Sequence, residues 1–393
     1  MYKKVLMKLI NNVSLVLKDN CCGCSACYES CPTKAIQMIP DEEGFLYPLV
    51  NDNLCIHCGI CLKKCDNSEL FLSETSILYA CWSKSEEIRK RSSSGGAFTA
   101  LSKIIFAKKG IVCGVGFNAE YDEVLHKIAK DDVSLDDLRR SKFVQSNKYH
   151  IYSLIKDILL QNKYVLFTGT PCEVGGLRSY LGKDFKKLIT CDLICGCVSS
   201  PKVYKIYIQY LRNKYHSSVK SVNFKDKRNG WREKSIAVEF ENGKEYYNSI
   251  LDDDYVVSFH SRYNIRPSCF CCRYRDLKRV ADLTLGDFWA VEKYNSLYDD
   301  NKGTSFVMAN SSKGNSLLLE CKEIMNIFRM DVSIADYCAK YNWCMCKNPT
   351  SPEYFKRVKF YNDLERLPFN LLSKEHLGII KEERKKRKLG TEK

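Results

Sequence analysis

The sequence predicts an α+β chain in which a small, cysteine-rich head precedes a larger mixed α/β core. Three observations predict it. Two runs of four cysteines, Cys21 to Cys31 and Cys55 to Cys65, fall within a short N-terminal stretch. Beyond Ser76, short apolar strand-like segments alternate with amphipathic helices and sharp turns, as in a sheet covered by helices. At 393 residues, with 45% hydrophobic and 12% aromatic content, the chain can build two or three domains with packed cores. That excludes a wholly disordered chain and a small disulfide-stapled scaffold.

No stretch approaches the roughly 18 consecutive apolar residues of a membrane span. The best N-terminal candidate, Val5 to Leu17, is broken by Lys8, Asn11 and Asn12 and lacks the features of a signal peptide. A cytoplasmic location is expected, where 22 cysteines read as metal ligands with some spare buried thiols rather than as disulfides. Lys and Arg number 62 against 47 Asp and Glu, a formal charge of +15. The densest basic run, Lys385, Lys386, Arg387 and Lys388 beside Lys381 and Arg384, reads as a solvated, frayed tail. Elsewhere the cations are scattered, so no nucleic-acid partner is expected. A basic surface equally suits an acidic redox partner or an anionic substrate.

Cys21, Cys24, Cys27 and Cys31 follow C-x2-C-x2-C-x3-C, with Pro32 next, and Cys55, Cys58, Cys61 and Cys65 repeat the spacing. This run holds 4Fe-4S clusters in bacterial two-cluster ferredoxins. Three close thiolates wrap one face of a cubane, and the fourth cysteine reaches the other cluster. Cys21, Cys24, Cys27 and Cys65 are therefore expected to hold one cluster, and Cys55, Cys58, Cys61 and Cys31 the second. Zinc fits less well, because its sites use paired C-x2-C units. Asp66 stands where a second Pro would follow Cys65, and Cys22 reads as a bystander thiol. Ala35 to Met38 reads as a short strand, and Gly44 to Pro48 as a turn and return strand. Clusters carry single electrons and do no group chemistry, so the head is an expected electron inlet or outlet.

Asn67 to Ser76 is polar and reads as a linker. Ser92 to Gly96 leads into a helix over Ala97 to Lys109, with Phe98, Leu101, Ile104 and Ile105 on one face and Gly110 as its cap. The glycines and the open helix N-terminus suit a pyrophosphate; a Ser N-cap with a flexible lead-in is the alternative. Ile111 to Phe117 reads as a strand. Ile151, Leu154, Ile155, Ile158 and Leu159 mark a helix, Tyr164 to Phe167 a buried strand, Thr168 to Cys172 a tight turn, and Glu173 to Leu181 a helix. Leu188 to Ile194 is a strand ending at Cys195, and Ser200-Pro201 starts a helix. Ligands gather at the carboxyl ends of strands in open α/β sheets. Cys172 and Cys195 both fall at such ends, so a site is expected between them. Ser235 to Phe240 and Lys244 to Tyr247 flank Glu241-Asn242-Gly243, a hairpin turn. A helix near Gly314 to Met330 and a mixed C-terminal region follow.

Six short motifs occur in a fixed order: Ser93-Ser94-Gly95-Gly96, Ser141-Lys142-Phe143-Val144-Gln145-Ser146, Thr168-Gly169-Thr170-Pro171-Cys172, Cys195 with Ser200-Pro201, Arg266-Pro267-Ser268-Cys269, and Gly286-Asp287-Phe288-Trp289. In that ordered set the chain resembles the coenzyme F(420) hydrogenase/dehydrogenase beta subunit family, over about residues 15–330. The resemblance implies an α+β fold: a small bacterial two-cluster ferredoxin-like head followed by a larger mixed α/β flavin-binding core. Its divisions are a 4Fe-4S ferredoxin-type domain at 12–70, the N-terminal part of the family's core at 76–160, and the C-terminal part of that core, with the third-cluster cysteines, at 161–335. A C-terminal helical extension and basic tail occupy 336–393. FAD contacts are implied for Ser93, Ser94, Gly95, Gly96, Ser141, Lys142, Gln145, Thr170 and Asp287. Lys142 would stabilise negative charge on a reduced flavin. Read without the resemblance, Ser141 to Gln145 is an ordinary polar loop and Asp287 a turn cap beside Phe288 and Trp289. A third 4Fe-4S cluster near the flavin is implied for Cys172, Cys195, Cys269 and Cys272, where a structural zinc or buried thiols are the alternatives. The chain departs from the family at Cys195-Gly196-Cys197, where members often have Cys-His-Gly, and at Ala290, where Gly is usual. Cys197 and Cys271 are alternate ligands.

Two functions follow as expectations. One is an iron–sulfur flavoprotein oxidoreductase passing electrons between a ferredoxin-like partner and a small-molecule or sugar-linked substrate. The other is a non-catalytic electron-transfer subunit docking on a larger redox enzyme through its basic surface. None of the six His forms a catalytic constellation, and no catalytic residue is assigned.

Overall fold

A computed structural model describes residues 11–65, 76–275, 277–334 and 352–388. The expected linker at 67–76 lies outside the described residues except for Ser76. The head holds two short helices, α1 (Ala26–Glu29) and α2 (Ile60–Cys65), and an antiparallel hairpin of β1 (Ile36–Pro40) and β2 (Leu46–Val50). The expected strand and return strand are this hairpin.

The core is an eight-stranded mixed sheet in the order β13-β3-β12-β11-β7-β6-β4-β5. Its strands are β3 (Ile77–Ser83), β4 (Ile111–Phe117), β5 (Val124–Ala129), β6 (Val165–Thr168), β7 (Leu188–Leu193), β11 (Leu283–Asp287), β12 (Ser305–Ala309) and β13 (Met325–Met330). Four central neighbours, β4, β6, β7 and β11, run parallel. Their carboxyl ends at Phe117, Thr168, Leu193 and Asp287 therefore open on one side of the sheet. Parallel strands buried on both faces read as continuous apolar runs, which is why Val165 to Phe167 and Leu188 to Cys191 were visible in the sequence. A separate three-stranded antiparallel sheet, β8 (Val219–Asp226), β9 (Ser235–Phe240) and β10 (Glu245–Ser249), contains the expected hairpin; Gly243 at its turn has φ +80°.

The helices are α3 (Glu86–Arg91), α4 (Ala97–Ala107), α5 (Asp132–Leu135), α6 (Ile151–Leu160), α7 (Pro171–Leu181), α8 (Pro201–Tyr215), α9 (Asp254–His260), α10 (Ser312–Leu319), α11 (Pro352–Leu364) and α12 (Phe369–Lys388). Thr170 and Glu173 form a capping box at the start of α7, and Ser200 caps α8 ahead of Pro201. Among the described residues no helix is long and apolar enough to cross a membrane.

Three expectations are corrected. The segment Gly314 to Met330 is not one helix: α10 ends at Leu319, and Met325–Met330 is an edge strand paired with β3. Gly110 does not supply a left-handed cap; Lys109 does, at φ +57°, and Gly110 is small because a Cβ there would meet Tyr164 O at 2.6 Å. The basic run through Lys388 is helical in α12 rather than frayed, and Lys381 and Lys385 pair with Asp254 and Asp252.

The head is fastened to the core by polar contacts. Tyr152 N and Ser153 N donate to the Glu29 carboxylate (3.0 and 2.7 Å), so a head side chain caps α6. Lys64 Nζ donates to Ser179 O (2.7 Å), and Ser179 Oγ donates to Lys64 O (2.6 Å). Arg357 of α11 forms a forked pair with Glu43 of the head. Above the sheet, Phe224 is fully buried among Phe117, Phe143, Tyr204 and Tyr255. Phe224→Ala should lower the stability of the folded chain by about 3–5 kcal/mol, read as a shifted midpoint in chemical denaturation.

Candidate functional site

The head folds so that its two cysteine runs lie close together. A void between head and core is lined by Cys21, Cys22, Cys24, Cys27 and Cys65. Burial pushes Cys27 up, and the neighbouring Cys21 and Cys65 sulfurs push it further. Cys61 interacts in the same way with Cys31. Cys65 thus neighbours Cys27 of the first run and Cys31 neighbours Cys61 of the second, which is compatible with the exchange anticipated from the spacing, and Cys61 also lies near Cys27. The sulfurs also receive backbone and amide hydrogens: Val13 N to Cys61 (3.2 Å), Ala35 N to Cys31 (3.3 Å) and Asn12 Nδ2 to Cys55 (3.5 Å). Donors aimed at sulfur suit ligating thiolates and fit the donor set of an iron–sulfur cluster. Cys58 is exposed, so the second quartet faces solvent, whereas the first faces the core.

Helix α7 joins the head to the core. Gly176 faces the head, where a Cβ would lie 2.7 Å from Cys24 Cβ and 3.1 Å from its sulfur, while a Cβ on Gly175 would meet the Tyr274 hydroxyl at 2.5 Å. Its first turn carries Cys172, which lies beside Cys22; that neighbour and burial push Cys172 well up. Cys22, expected to be a bystander, has Cys172 and Cys24 as neighbours that lower it, so it stands between head and core sulfurs. Burial raises Cys195, and the nearby Cys269 and Cys272 sulfurs raise it further. Tyr274 N donates to Cys272 (3.4 Å). Cys172, Cys195, Cys269 and Cys272 therefore converge although they come from three distant segments. Cys271 is exposed, and Cys197 lines the cavity described next.

A cavity of about 690 Å³ opens at the carboxyl ends of β4, β6, β7 and β11, under β8. Ser92, Ser93, Ser94 and Gly96 border it at the N-terminus of α4, and Cys195, Gly196 and Cys197 border it after β7. Gly96 has φ +94°, a conformation open to glycine, and turns the chain into the helix. Ser93 Oγ accepts from Ser141 N (2.9 Å), so the two expected flavin segments are joined. Lys142 Nζ, in the same wall, donates to the carbonyls of Asp137 (3.0 Å) and Arg139. Burial, helped by the nearby Arg140 charge, brings Lys142 down to about 7.

Asp287 lies at the far wall but is not a turn cap. Its Oδ2 accepts from Lys225 Nζ and Lys234 Nζ, both at 2.8 Å, and its Oδ1 accepts from Trp231 Nε1 (3.4 Å). Although burial opposes ionisation, the two ammonium groups hold its carboxyl well below the usual range. Lys234 sits 3.7 Å over the Trp289 ring, which stacks on Trp231 at 4.3 Å. Burial lowers Lys234 to about 7 despite Asp287. His260 also lines the wall.

The cavity thus gathers Ser93, Ser94, Gly96, Ser141, Lys142, Thr170 and Asp287. Gly95 and Gln145 point elsewhere. Gly95 N donates to Ser305 Oγ (3.0 Å), and Gln145 Nε2 donates to Cys22 O (2.9 Å). Lys225, Lys234, Trp231 and Arg139 escaped the sequence reading. Only the adjacency of Trp231 and Lys234 to an alternating segment offered a signal.

A half-buried amine that titrates near pH 7 makes anion binding pH-dependent. Lys142 is charged below about 7 and neutral above, and only the charged form attracts an anion. The affinity for inorganic pyrophosphate should therefore fall as pH rises from about 6 to about 8. Lys142→Met should weaken binding about tenfold at a pH of about 6 and flatten the profile, measured by titration calorimetry.

Comparison with known proteins follows the same division. Residues 20–70 match the 4Fe-4S dicluster domain, and residues 162–328 match the family model described as the C terminus of the coenzyme F420 hydrogenase/dehydrogenase beta subunit. An uncharacterized polyferredoxin-like protein of Methanocaldococcus jannaschii is 30% identical over 79 residues, 18% of this chain, and the match spans 47% of that protein's length. A chain of the F420-reducing NiFe hydrogenase complex from Methanosarcina barkeri superposes with a TM-score of 0.48 and 17% identity, over 73% of this chain and 94% of that one. The chain thus joins a 4Fe-4S dicluster domain to a C-terminal domain of the coenzyme F420 hydrogenase/dehydrogenase beta subunit family.

Proposed function

We propose that this chain is an iron–sulfur flavoprotein oxidoreductase that moves electrons between a redox partner and an organic substrate. The observation that carries the reading is a continuous order of sites. It runs from the exposed Cys58, through the Cys24 side of the first quartet, across α7 to Cys172 and Cys195, and into the large cavity. In this reading Cys55, Cys58, Cys61 and Cys31 hold the outer cluster, and Cys21, Cys24, Cys27 and Cys65 the inner one. Cys172, Cys195, Cys269 and Cys272 hold the third.

The cavity fits FAD by its donors. The α4 N-terminus, Ser93, Ser141 and Lys142 suit the pyrophosphate, and the wall by Cys195 and Cys197 would face the redox-active part. When bound, FAD supplies the conversion between single electrons and a hydride. The chain's own residues do the rest. Lys142 holds a positive charge beside the phosphates, the glycine turn at Gly96 lets the backbone approach, and the Asp287–Lys225–Lys234 group with Trp289 forms the polar and aromatic far wall. Its cations favour an anionic substrate. The partner is a ferredoxin-like protein meeting the outer cluster. The family match supports the reading by placing the Cys172 to Asp287 segment in a redox family.

Anaerobic purification with iron, sulfide and flavin counting tests it. About twelve irons and one FAD per chain are expected; about eight would remove the third cluster, and material without flavin that binds none on reconstitution would overturn the enzyme reading. Cys65→Ala should cost the inner cluster and leave the outer one, since Cys65 serves the first quartet; the surviving signal would be followed by electron paramagnetic resonance.

A further inference from the structure

The motif Arg266-Pro267-Ser268-Cys269 supplies a third-quartet cysteine, but its arginine points away, into the head. Arg266 is fully buried. Its Nε donates to Cys21 O (2.8 Å), its Nη2 to Leu46 O (3.0 Å), and its Nη1 to Gln145 Oε1 (2.8 Å). Nη2 also lies 3.7 Å from the Cys21 sulfur. The guanidinium stacks 4.2 Å over the Tyr47 ring. Gln145 completes the clamp by donating to Cys22 O (2.9 Å). Gly23, next to Cys22, has φ +68°, and a Cβ on it would come within 2.7 Å of Arg266 Nη1. Glycine there is what admits the cation.

No carboxylate among the described residues pairs with Arg266. A buried cation without a countercharge costs several kcal/mol. Its nearest candidate for that countercharge is the Cys21 sulfur, and with it the cluster that Cys21 would hold. Each electron added to a cluster makes it more negative, and a fixed cation at contact distance stabilises the reduced form more than the oxidised one. Hydrogen bonds and charges near the sulfurs are among the terms that set cluster potentials.

We propose that Arg266, positioned by Gln145 and admitted by Gly23, raises the reduction potential of the inner head cluster and so holds the transferred electron on the core side of the head. Gln145 is then a positioning residue of this cluster. The proposal rests on the reading of Cys21, Cys24, Cys27 and Cys65 as ligands; it is independent of the flavin.

The test is a redox titration of the anaerobic full-length protein followed by electron paramagnetic resonance, with iron counted for every variant. Arg266→Gln removes the charge. Gln145→Glu leaves the arginine in place and sets a carboxylate against Nη1, neutralising it. Both should lower one cluster's reduced-to-oxidised ratio at fixed potential by about tenfold or more, about 59 mV for one electron, with the other clusters unmoved. Arg266→Lys, which keeps charge without the fork, should stay closer to wild type. Either neutralising variant with wild-type iron and all midpoints unchanged overturns the proposal, and if Arg266→Gln fails to fold, Gln145→Glu decides. Wild-type protein lacking head iron would instead overturn the ligand reading itself.

Discussion

The structure depends on one close approach: the glycine face of α7 against Cys24. Gly175 and Gly176 are two adjacent positions without side chains on that helix, and any Cβ at Gly176 would strike Cys24. Because the helix can come so near, the cysteine in its first turn, Cys172, lies beside Cys22, where the head and core sulfurs adjoin. A bulkier helix would push the head outward and separate the two sets. The polar fastenings at Glu29, Lys64 and Glu43 then lock an approach that the glycines make possible.

That geometry explains what the sequence made legible. Cysteine spacing is a local signal, and a cubane imposes its distances directly on neighbouring residues, so a 4Fe-4S dicluster domain could be anticipated. The parallel strands were legible because burial on both faces erases alternation. Cys172 and Cys195 were placed at strand ends for the same reason, since the topology of an open sheet sends those ends to one side. The edge strand Met325–Met330 was not legible. Its partner β3 lies far earlier in the chain, at Ile77–Ser83, and the apolar spacing from Leu317 to Ile324 imitates a helix until that pairing overrides it.

The less legible part of the site concerns polar side chains whose destinations are set by long-range contacts. Gln145 sits in a motif that implied flavin, yet its neighbour Ser146 donates to buried Glu173 (2.7 Å) and Gln145 itself turns to Cys22. A short step along one loop thus changes the addressee from cavity to head. Lys225 and Lys234 carried no spacing signal, because they meet only through Asp287, which is distant in sequence from both. Asp287 was expected to bind a cofactor or cap a turn. In the structure it is the anion that pairs with buried Lys234 and half-buried Lys225.

Charge follows a related logic. The excess of +15 reads in sequence as a surface property, but Arg89, Arg139, Arg279, Arg357, Lys148 and Lys234 are buried. Each has a carboxylate partner: Asp300, Asp136, Asp192, Glu43, Glu173 and Asp287 respectively. Burying a cation is tolerable when an anion pairs with it. Arg266 lacks a carboxylate partner among the described residues and has a cysteine sulfur in its place. In a chain that satisfies these other buried cations conventionally, that departure falls where two cysteine systems meet. The same loop continues to Cys269, so a shift of Arg266 would also move a residue of the core quartet. Charge balance at the inner sulfurs and the placement of the core sulfurs are therefore properties of one segment, and neither can be altered without touching the other.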